Sequence, residues 1–459
     1  MSNVGTSTWY RPPTNVLLGV TTLVGVSFVG AAFAYLKDAT QQAKLLVVIF
    51  VIISISVTAF RPIVGLALLL LLAPLNHLVT IIGLTVGTTD LLLLGVAGAA
   101  VIHSKPSLMR PSTLVSLGLI VLGAFLASVF AVEAPVALWG AIRWLAIAIV
   151  FVYASTIAIS KSFLCKGLVI LISVSGAVAA GFSILQWLGI YIFVGPPFLP
   201  DRIDSVFGYY TQFAGFMAIV FVISIAECIQ RAQAKAWGPS TYFAISATLS
   251  AIGIALSLSR GGVLSVVVGS TVFVILSIRR IGTALSAVLI AGILIVGVPI
   301  ALPSSIKTPF TDRFVDRAEV TAGGDQVRLR LQRSGRTALL EHPLGIGYGN
   351  FSRYLELHGQ PPYFHTHRMI LQMGLDAGWL GLVGFLGLVG APVFSGASRF
   401  LRSGLQPRIA GFIAALCGLL AQTWFDYFFY ETVWLIVFAY IIWAAGTSLS
   451  REEAIEGAA

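Results

Sequence analysis

The sequence predicts an all-α, polytopic transmembrane bundle, and three observations predict it. The chain of 459 residues is 58% hydrophobic and only 10% charged, with a mean hydropathy of +0.95, whereas a soluble domain carries about 25% charged residues. Apolar runs long enough to cross a bilayer recur, as in Val16 to Leu36, Leu45 to Phe60, Leu114 to Ala131 and Tyr210 to Ile229; a crossing needs about 20 such residues. These runs are too long and continuous for barrel strands, so backbone polar groups in lipid must be satisfied within helices. About twelve to fourteen spans are expected, with one long outer loop that carries a short amphipathic helix.

The positions of the cations set the orientation. Taken alternately, one set of loops carries Lys105 and Arg110, Lys161 and Lys166, Arg231 and Lys235, Arg279 and Arg280, then Arg399, Arg402 and Arg408. By the positive-inside bias these loops are cytoplasmic. The opposite set is nearly free of lysine in its short members, apart from Lys37 and Lys44. An even number of spans then leaves both termini in the cytoplasm. This pattern accounts for the net charge of +10 without a nucleic-acid partner. Ala32-Phe33-Ala34 loosely resembles a cleavage site, but one arginine and a long apolar stretch favour a first span over a signal peptide. Cys165, Cys228 and Cys417 fall in or beside spans on the reducing side and suggest neither a disulfide framework nor a metal cluster.

The chain divides by this pattern into spans over 1–302 (to about the eleventh), an outer loop over 303–368, and about three last spans with a short cytoplasmic tail over 369–459. The loop holds Lys307, Arg313, Arg317, Arg328, Arg330, Arg333, Arg336, Arg353 and Arg368; long loops escape the positive-inside bias. Asp325 is placed to cap a helix from about 326 to 341, stopped by His342-Pro343. On that helix Val327, Leu331, Ala338 and Leu339 share one arc with Arg328, which should face the protein body. Arg330, Arg333 and Arg336 spread around the other side, as on a solvated or headgroup-facing surface. The glycines of Gly345-Ile346-Gly347-Tyr348-Gly349-Asn350 permit tight turns, and a phosphate-cradling loop is one reading of them.

Asp90, Glu133, Glu227, Asp376, Asp426 and Glu431 all fall near predicted span ends. That counts against a proton-coupled carrier, which places acids at mid-membrane. The outward-facing candidates are cationic. Arg260, in Ser257-Leu258-Ser259-Arg260-Gly261-Gly262, interrupts an apolar stretch from Tyr242 to Leu276 where two spans must meet. Guanidinium groups clamp phosphate through planar, bidentate hydrogen bonds; snorkelling to headgroups is the bland alternative for Arg260 and Arg202, and a headgroup anchor the one for Arg143. In Tyr363-Phe364-His365-Thr366-His367-Arg368 the i, i+2 spacing puts both histidines on one side of an extended segment. Without cysteine or carboxylate ligands nearby, a metal site is not expected. A histidine beside phosphate-holding arginines suits a general base on an alcohol; a histidine hydrogen-bonded at a helix start is the alternative.

Together these pieces resemble the O-antigen ligase and polymerase family of bacterial envelope glycosyltransferases, over roughly residues 200 to 385. The matching stretches are Arg202-Ile203-Asp204-Ser205-Val206-Phe207-Gly208, Ser259-Arg260-Gly261-Gly262, Arg328 ahead of Pro343, His342 to Phe351, and His367 to Gly381. His367, rather than His365, falls where the family has its histidine. This chain has Arg368 where the family usually has Asn, and Asp376 where it usually has Glu. The resemblance implies transfer of a glycan from undecaprenyl pyrophosphate to an acceptor sugar at the outer face of the bacterial cytoplasmic membrane, with inversion and without metal or other cofactor. Arg202, Arg260 and Arg328 would hold the pyrophosphate and His367 would act as base. His365, Arg336, Arg143, Tyr348, Asn350 and Asp376 are further substrate-binding candidates. The acceptor would be a glycan or a lipid A core, with membrane lipid and a chain-length regulator as further partners. A transporter or flippase of lipid-linked oligosaccharide is the competing class, and a bundle polymerase of peptidoglycan precursors a third.

Overall fold

The computed structural model describes residues 62–72, 78–81, 84–103, 111–191 except 161, most of 196–207, 209–277, 322–424 except 403, and parts of 427–446. The predicted spans at Val16 to Leu36 and Leu45 to Phe60, and Lys307, Arg313 and Arg317 of the outer loop, lie outside the described residues. In chain order the elements are α1 (Pro62–Leu72), β1 (Leu78–Ile81), β2 (Leu84–Gly87), α2 (Thr88–His103), α3 (Pro111–Val129), α4 (Ala134–Ser160), α5 (Ser162–Trp187), α6 (Tyr210–Gln233), α7 (Trp237–Ser257), α8 (Arg260–Ser277), α9 (Ala322–Glu341), α10 (Phe351–Leu357), α11 (Met369–Arg402) and α12 (Pro407–Thr423). Among the described residues, seven helices, α3 to α8 and α11, are long and apolar enough to cross a membrane. The protein is the helical, multi-pass bundle that its composition predicts. Among the described residues there is in addition an antiparallel hairpin between α1 and α2, in which Leu78 pairs with Gly87 and Ile81 with Leu84.

Helix α6 is apolar around its whole circumference, and every side chain from Gln212 to Ile229 is buried, as expected of a helix enclosed by others. It packs against α5, α7, α8 and α12. Elsewhere small residues let backbones approach, the usual device where lipid offers no hydrophobic drive between helices. A Cβ on Gly123 of α3 would clash with the Ala377 carbonyl oxygen of α11, and one on Gly384 would stand 2.5 Å from that of Ser116. Gly418 of α12 meets the Ser265 carbonyl of α8 in the same way, at 2.5 Å.

The two ends of the bundle differ. At one end Glu227, near the close of α6, is fully buried and is held by Arg231 at 3.3 Å and by Arg408, whose Nη2 donates at 2.8 Å. At the other end the C-termini of α3, α5, α7 and α12 meet the N-termini of α4, α6, α8 and α11, and α9 packs on α11 and α10. This second end carries the candidate residues.

Candidate functional site

The segment after α5 is fixed through its backbone. Gln186, buried in the last turn of α5, accepts from the amides of Asp204 (3.2 Å) and Ser205 (2.9 Å) and donates to the Asp204 carboxylate at 2.8 Å. The Ser205 hydroxyl donates to the Ala179 carbonyl at 2.7 Å. Arg202 is thereby set at the start of α6, its guanidinium 4.5 Å from the ring centre of Tyr210. The Ile203 amide donates to the carbonyl of Leu256 at 3.2 Å, which joins this segment to the turn that bears Arg260.

That turn follows from its serines. Leu258 takes a left-handed conformation, φ 51°, between α7 and α8. The Ser257 hydroxyl accepts from the Ser259 amide at 3.2 Å, and the Ser259 hydroxyl accepts from the Gly262 amide at 3.2 Å, an N-cap bond. Arg260 is the first residue of α8 and is exposed. Gly261 and Gly262 are small for packing reasons: added Cβ atoms would meet Gln422 at 3.1 Å and Ala214 at 2.5 Å. Gln422 in turn donates to the Thr211 carbonyl at 2.8 Å, which closes a ring of contacts through α6, α8 and α12.

Helix α9 buries Leu331, Ala338 and Leu339 against α11, and Arg328 lies partly buried on the same side, as its position on the arc predicts. Val327 is more exposed than expected. The helix begins at Ala322, so Asp325 lies within it rather than ahead of it as a cap. Arg333 and Arg336 are exposed; Arg330 and Arg333, with Gln326, Leu329, Ser334 and Gln360, line an open groove of about 330 Å³.

The glycine loop is not an open cradle, contrary to one reading of its sequence. Gly345, Gly347 and Gly349 have φ of 89°, 84° and 75°, and Cβ atoms there would stand 2.6–2.8 Å from Gly378, Leu375, Ala137 and Val136. The amides of Ile346 (2.8 Å) and Gly347 (3.1 Å) both donate to the Leu375 carbonyl, while the Trp379 amide donates to the Pro343 carbonyl at 3.0 Å. Those are the two groups that a regular helix would pair with each other. They are released because α11 breaks at Gly378, φ 65° and ψ −172°, and the loop fills the break. Asn350, a candidate for substrate binding, is instead consumed by the fold. It is 1% exposed, and its side chain accepts from the Glu133 amide at 2.7 Å and donates to the Tyr348 carbonyl at 3.0 Å, pinning the loop to the α3–α4 turn.

The histidine segment sits on the nine residues of α11 ahead of the break. Thr366 is buried; its amide donates to Gln372 Oε1 at 2.9 Å, and Gln372 donates to Asp376 Oδ1 at 2.9 Å. The Tyr427 hydroxyl donates to Asp376 Oδ2 at 2.6 Å. Burial, followed by the adjoining Asp376 carboxylate, pushes the Tyr427 phenol well above its ordinary pKa, which keeps it a donor. His365 and His367 flank Thr366 on the same side, ring centres 4.5 Å apart and edge-on. Tyr363 touches both, and Tyr427 lies 5.8 Å from His365. Arg368 stands where the resemblance expects Asn, yet the turn is complete without that amide. Thr366 Oγ1 donates to the Arg368 carbonyl at 3.1 Å, the Gln372 amide donates to it at 2.9 Å, and the guanidinium of Arg368 lies 4.0 Å over Trp424.

Arg143 is not a headgroup anchor. It is 3% exposed, ion-paired with Asp90 at 3.3 Å, and 5.1 Å from the ring centre of Tyr348, which packs on Gly140 one turn earlier in α4. Burial pushes the Tyr348 phenol above its ordinary pKa, with Asp90 and Asp376 adding to the shift and Arg143 opposing it.

The structure therefore gathers His365, His367, Asp376, Tyr348 and Arg143 near one another, and ties Arg202 to the turn of Arg260 at the same end of the bundle. Arg336 stays on an exposed face of α9. Asp90, Gln372, Trp424 and Tyr427 are members of these arrangements that sequence reasoning missed. Only Gln372 had a signal, its position one helical turn before Asp376. Among the described residues, no three or more His, Cys, Asp and Glu side chains cluster so as to hold a metal ion.

No curated protein matches the chain. A family model described as O-Antigen ligase matches residues 245–386, a stretch that takes in Arg260, Arg328, His365, His367 and Asp376 and leaves Arg202 outside. The matched stretch, which runs from within α7 to within α11, is thus similar to the O-antigen ligase family.

Proposed function

We propose that the chain transfers a glycan from undecaprenyl pyrophosphate to an acceptor sugar at the outer face of the cytoplasmic membrane, as a surface-polysaccharide polymerase or an O-antigen ligase. The observation that carries the reading is convergence. An arginine in the segment ahead of α6, another at the N-terminus of α8 and a histidine pair just ahead of α11 belong to distant parts of the chain, yet share one end of the bundle. The cation-rich loops at 231–235 and 399–408 occupy the opposite end, which by the positive-inside bias is cytoplasmic.

The chemistry needs little else. Arg202 and Arg260, with Arg328 on the inward side of α9, bind the diphosphate and stabilise the charge that grows on it as the bond from the anomeric carbon to its oxygen breaks. His367 takes the proton of the acceptor hydroxyl as that oxygen attacks the anomeric carbon from the opposite side. The new glycosidic bond is therefore inverted, the diphosphate leaves with the electron pair, and the proton on His367 passes to solvent. Residues 1–302, 303–368 and 369–459 act together in this reading: the two sets of spans hold the lipid-linked donor and the loop covers the reacting ends. A lipid A core or a growing glycan serves as acceptor, and a chain-length regulator acts with the polymerase form.

Purified protein in detergent, given a synthetic undecaprenyl-pyrophosphate oligosaccharide and candidate acceptors, tests this directly. Wild type should yield longer glycans or acceptor conjugates, with EDTA having no effect. His367→Ala should lower kcat by about 10²–10⁴-fold and Arg260→Ala by about 10²–10³-fold. Lysine at position 260 should restore only part, because it lacks the bidentate fork. Absence of product from wild type, or equal product from the variants, overturns the reading.

A further inference from the structure

We infer that His365 is a positioning residue for His367, acting through Nδ1 as the acceptor that holds the His367 backbone; the inference rests on the proposed transferase reading. His367 is one of the few non-glycine residues with a positive φ, 56°, a conformation that side-chain-bearing residues seldom adopt without local support. Two contacts supply that support. The His367 amide donates to His365 Nδ1 at 3.3 Å, and the two rings meet edge-on at 4.5 Å, interplanar angle 79°. Between them, Thr366 is anchored through Gln372 to Asp376. The middle residue is thus nailed to α11 while the histidines on either side are locked to one another.

This bond fixes the chemical state of His365. An imidazole that accepts on Nδ1 must carry its proton on Nε2 alone. Protonation of His365 would set an N–H against an N–H, and the turn that aims His367 would open. Among the described residues, the groups that face His365 include Tyr363 from the preceding segment, His367 across the turn, and Tyr427 from beyond α12, with the Asp376 carboxylate behind Tyr427. Tyr427 keeps its hydroxyl proton on Asp376, so the carboxylate is already engaged when His365 must stay neutral. His365 is thereby reassigned from a substrate-binding candidate to a residue that works through its neighbour.

Isosteres separate this role from its rivals. The side-chain oxygen of Asn occupies the place of Nδ1, whereas that of Gln occupies the place of Nε2. In the transfer assay with the full-length protein, His365→Asn should keep kcat within about threefold of wild type. His365→Gln and His365→Ala should lower kcat by about 10²-fold with KM for the donor little changed. Activity in the Gln variant but not in Asn would show that Nε2 matters and overturn the proposal, as would equal activity in both. A second measurement does not depend on turnover. In ¹⁵N-histidine-labelled protein, Nδ1 of His365 should be unprotonated and Nε2 protonated, with assignment by loss of the signal in His365→Asn. A protonated Nδ1 in the neutral ring overturns the positioning role even where catalysis is seen. The expected tautomer in a protein that transfers no glycan upholds the geometry and defeats the transferase reading instead.

Discussion

An arginine and an aspartate that are 3% and 5% exposed are costly to desolvate, and their mutual attraction only about offsets that cost. The Asp90–Arg143 pair is therefore a poor candidate for net stabilisation and a strong one for mutual dependence. Asp90→Ala should destabilise the protein by about 3–5 kcal/mol, because it strands a buried cation, while the double change Asp90→Leu with Arg143→Leu should recover most of that loss. Melting temperature in detergent reads both, and a single variant as stable as wild type would remove the argument. Nothing in the sequence linked these residues. They are far apart along the chain, and each alone reads as a span-end charge, so only packing of α2 on α4 brings them together. The surroundings of His367 were legible for the opposite reason: its ring contacts, Tyr363 and His365, are also its neighbours in sequence.

At the scale of the element, the break in α11 decides where residues 343–347 can sit. A helix of 34 residues would run about 50 Å, well beyond a hydrocarbon core of about 30 Å. Gly378 ends the first nine residues of α11 and frees the groups that the glycine loop then pairs. Gly345→Ala should cost about 2 kcal/mol or more, since φ is 89° and backbone atoms lie 2.7 Å and 2.8 Å from the new Cβ. Gly359→Ala, with φ 66° and open space around it, should cost about 1 kcal/mol. Equal shifts in melting temperature would mean that strain at φ, and not the close approach, governs both. The buried stripe of α9 was readable because Leu331, Ala338 and Leu339 recur at helical spacing. The break was not, because in a chain with 46 glycines a single glycine in an apolar run carries no distinguishing mark.

For the whole molecule, the alternation of cationic and uncharged loops was the most legible feature, since it depends on loop composition and not on packing. It predicts that residues 231–235 and 399–408 face the cytoplasm and that the α10 region faces outward. In a background lacking Cys165, Cys228 and Cys417, Gln360→Cys should react with a membrane-impermeant maleimide in intact spheroplasts. Lys235→Cys should react only after permeabilisation. The reverse pattern would place the histidine segment on the wrong side for a lipid-linked glycan exported to the cell surface. Span number was less legible, because among the described residues α2, α12 and the helix at Ile436–Gly446 are too short to be told from re-entrant pieces by length alone.

The splice between the loop and the helix bears on biogenesis. Residues 343–347 emerge from the ribosome before residues 375–379, yet each set completes the other's hydrogen bonds. A chain whose basic loop stalled on the wrong side would leave the Leu375 carbonyl and the Trp379 amide without their partners at the membrane border. Loop and helix therefore complete their hydrogen bonds only together, and keeping them apart leaves two polar groups at the break unpaired.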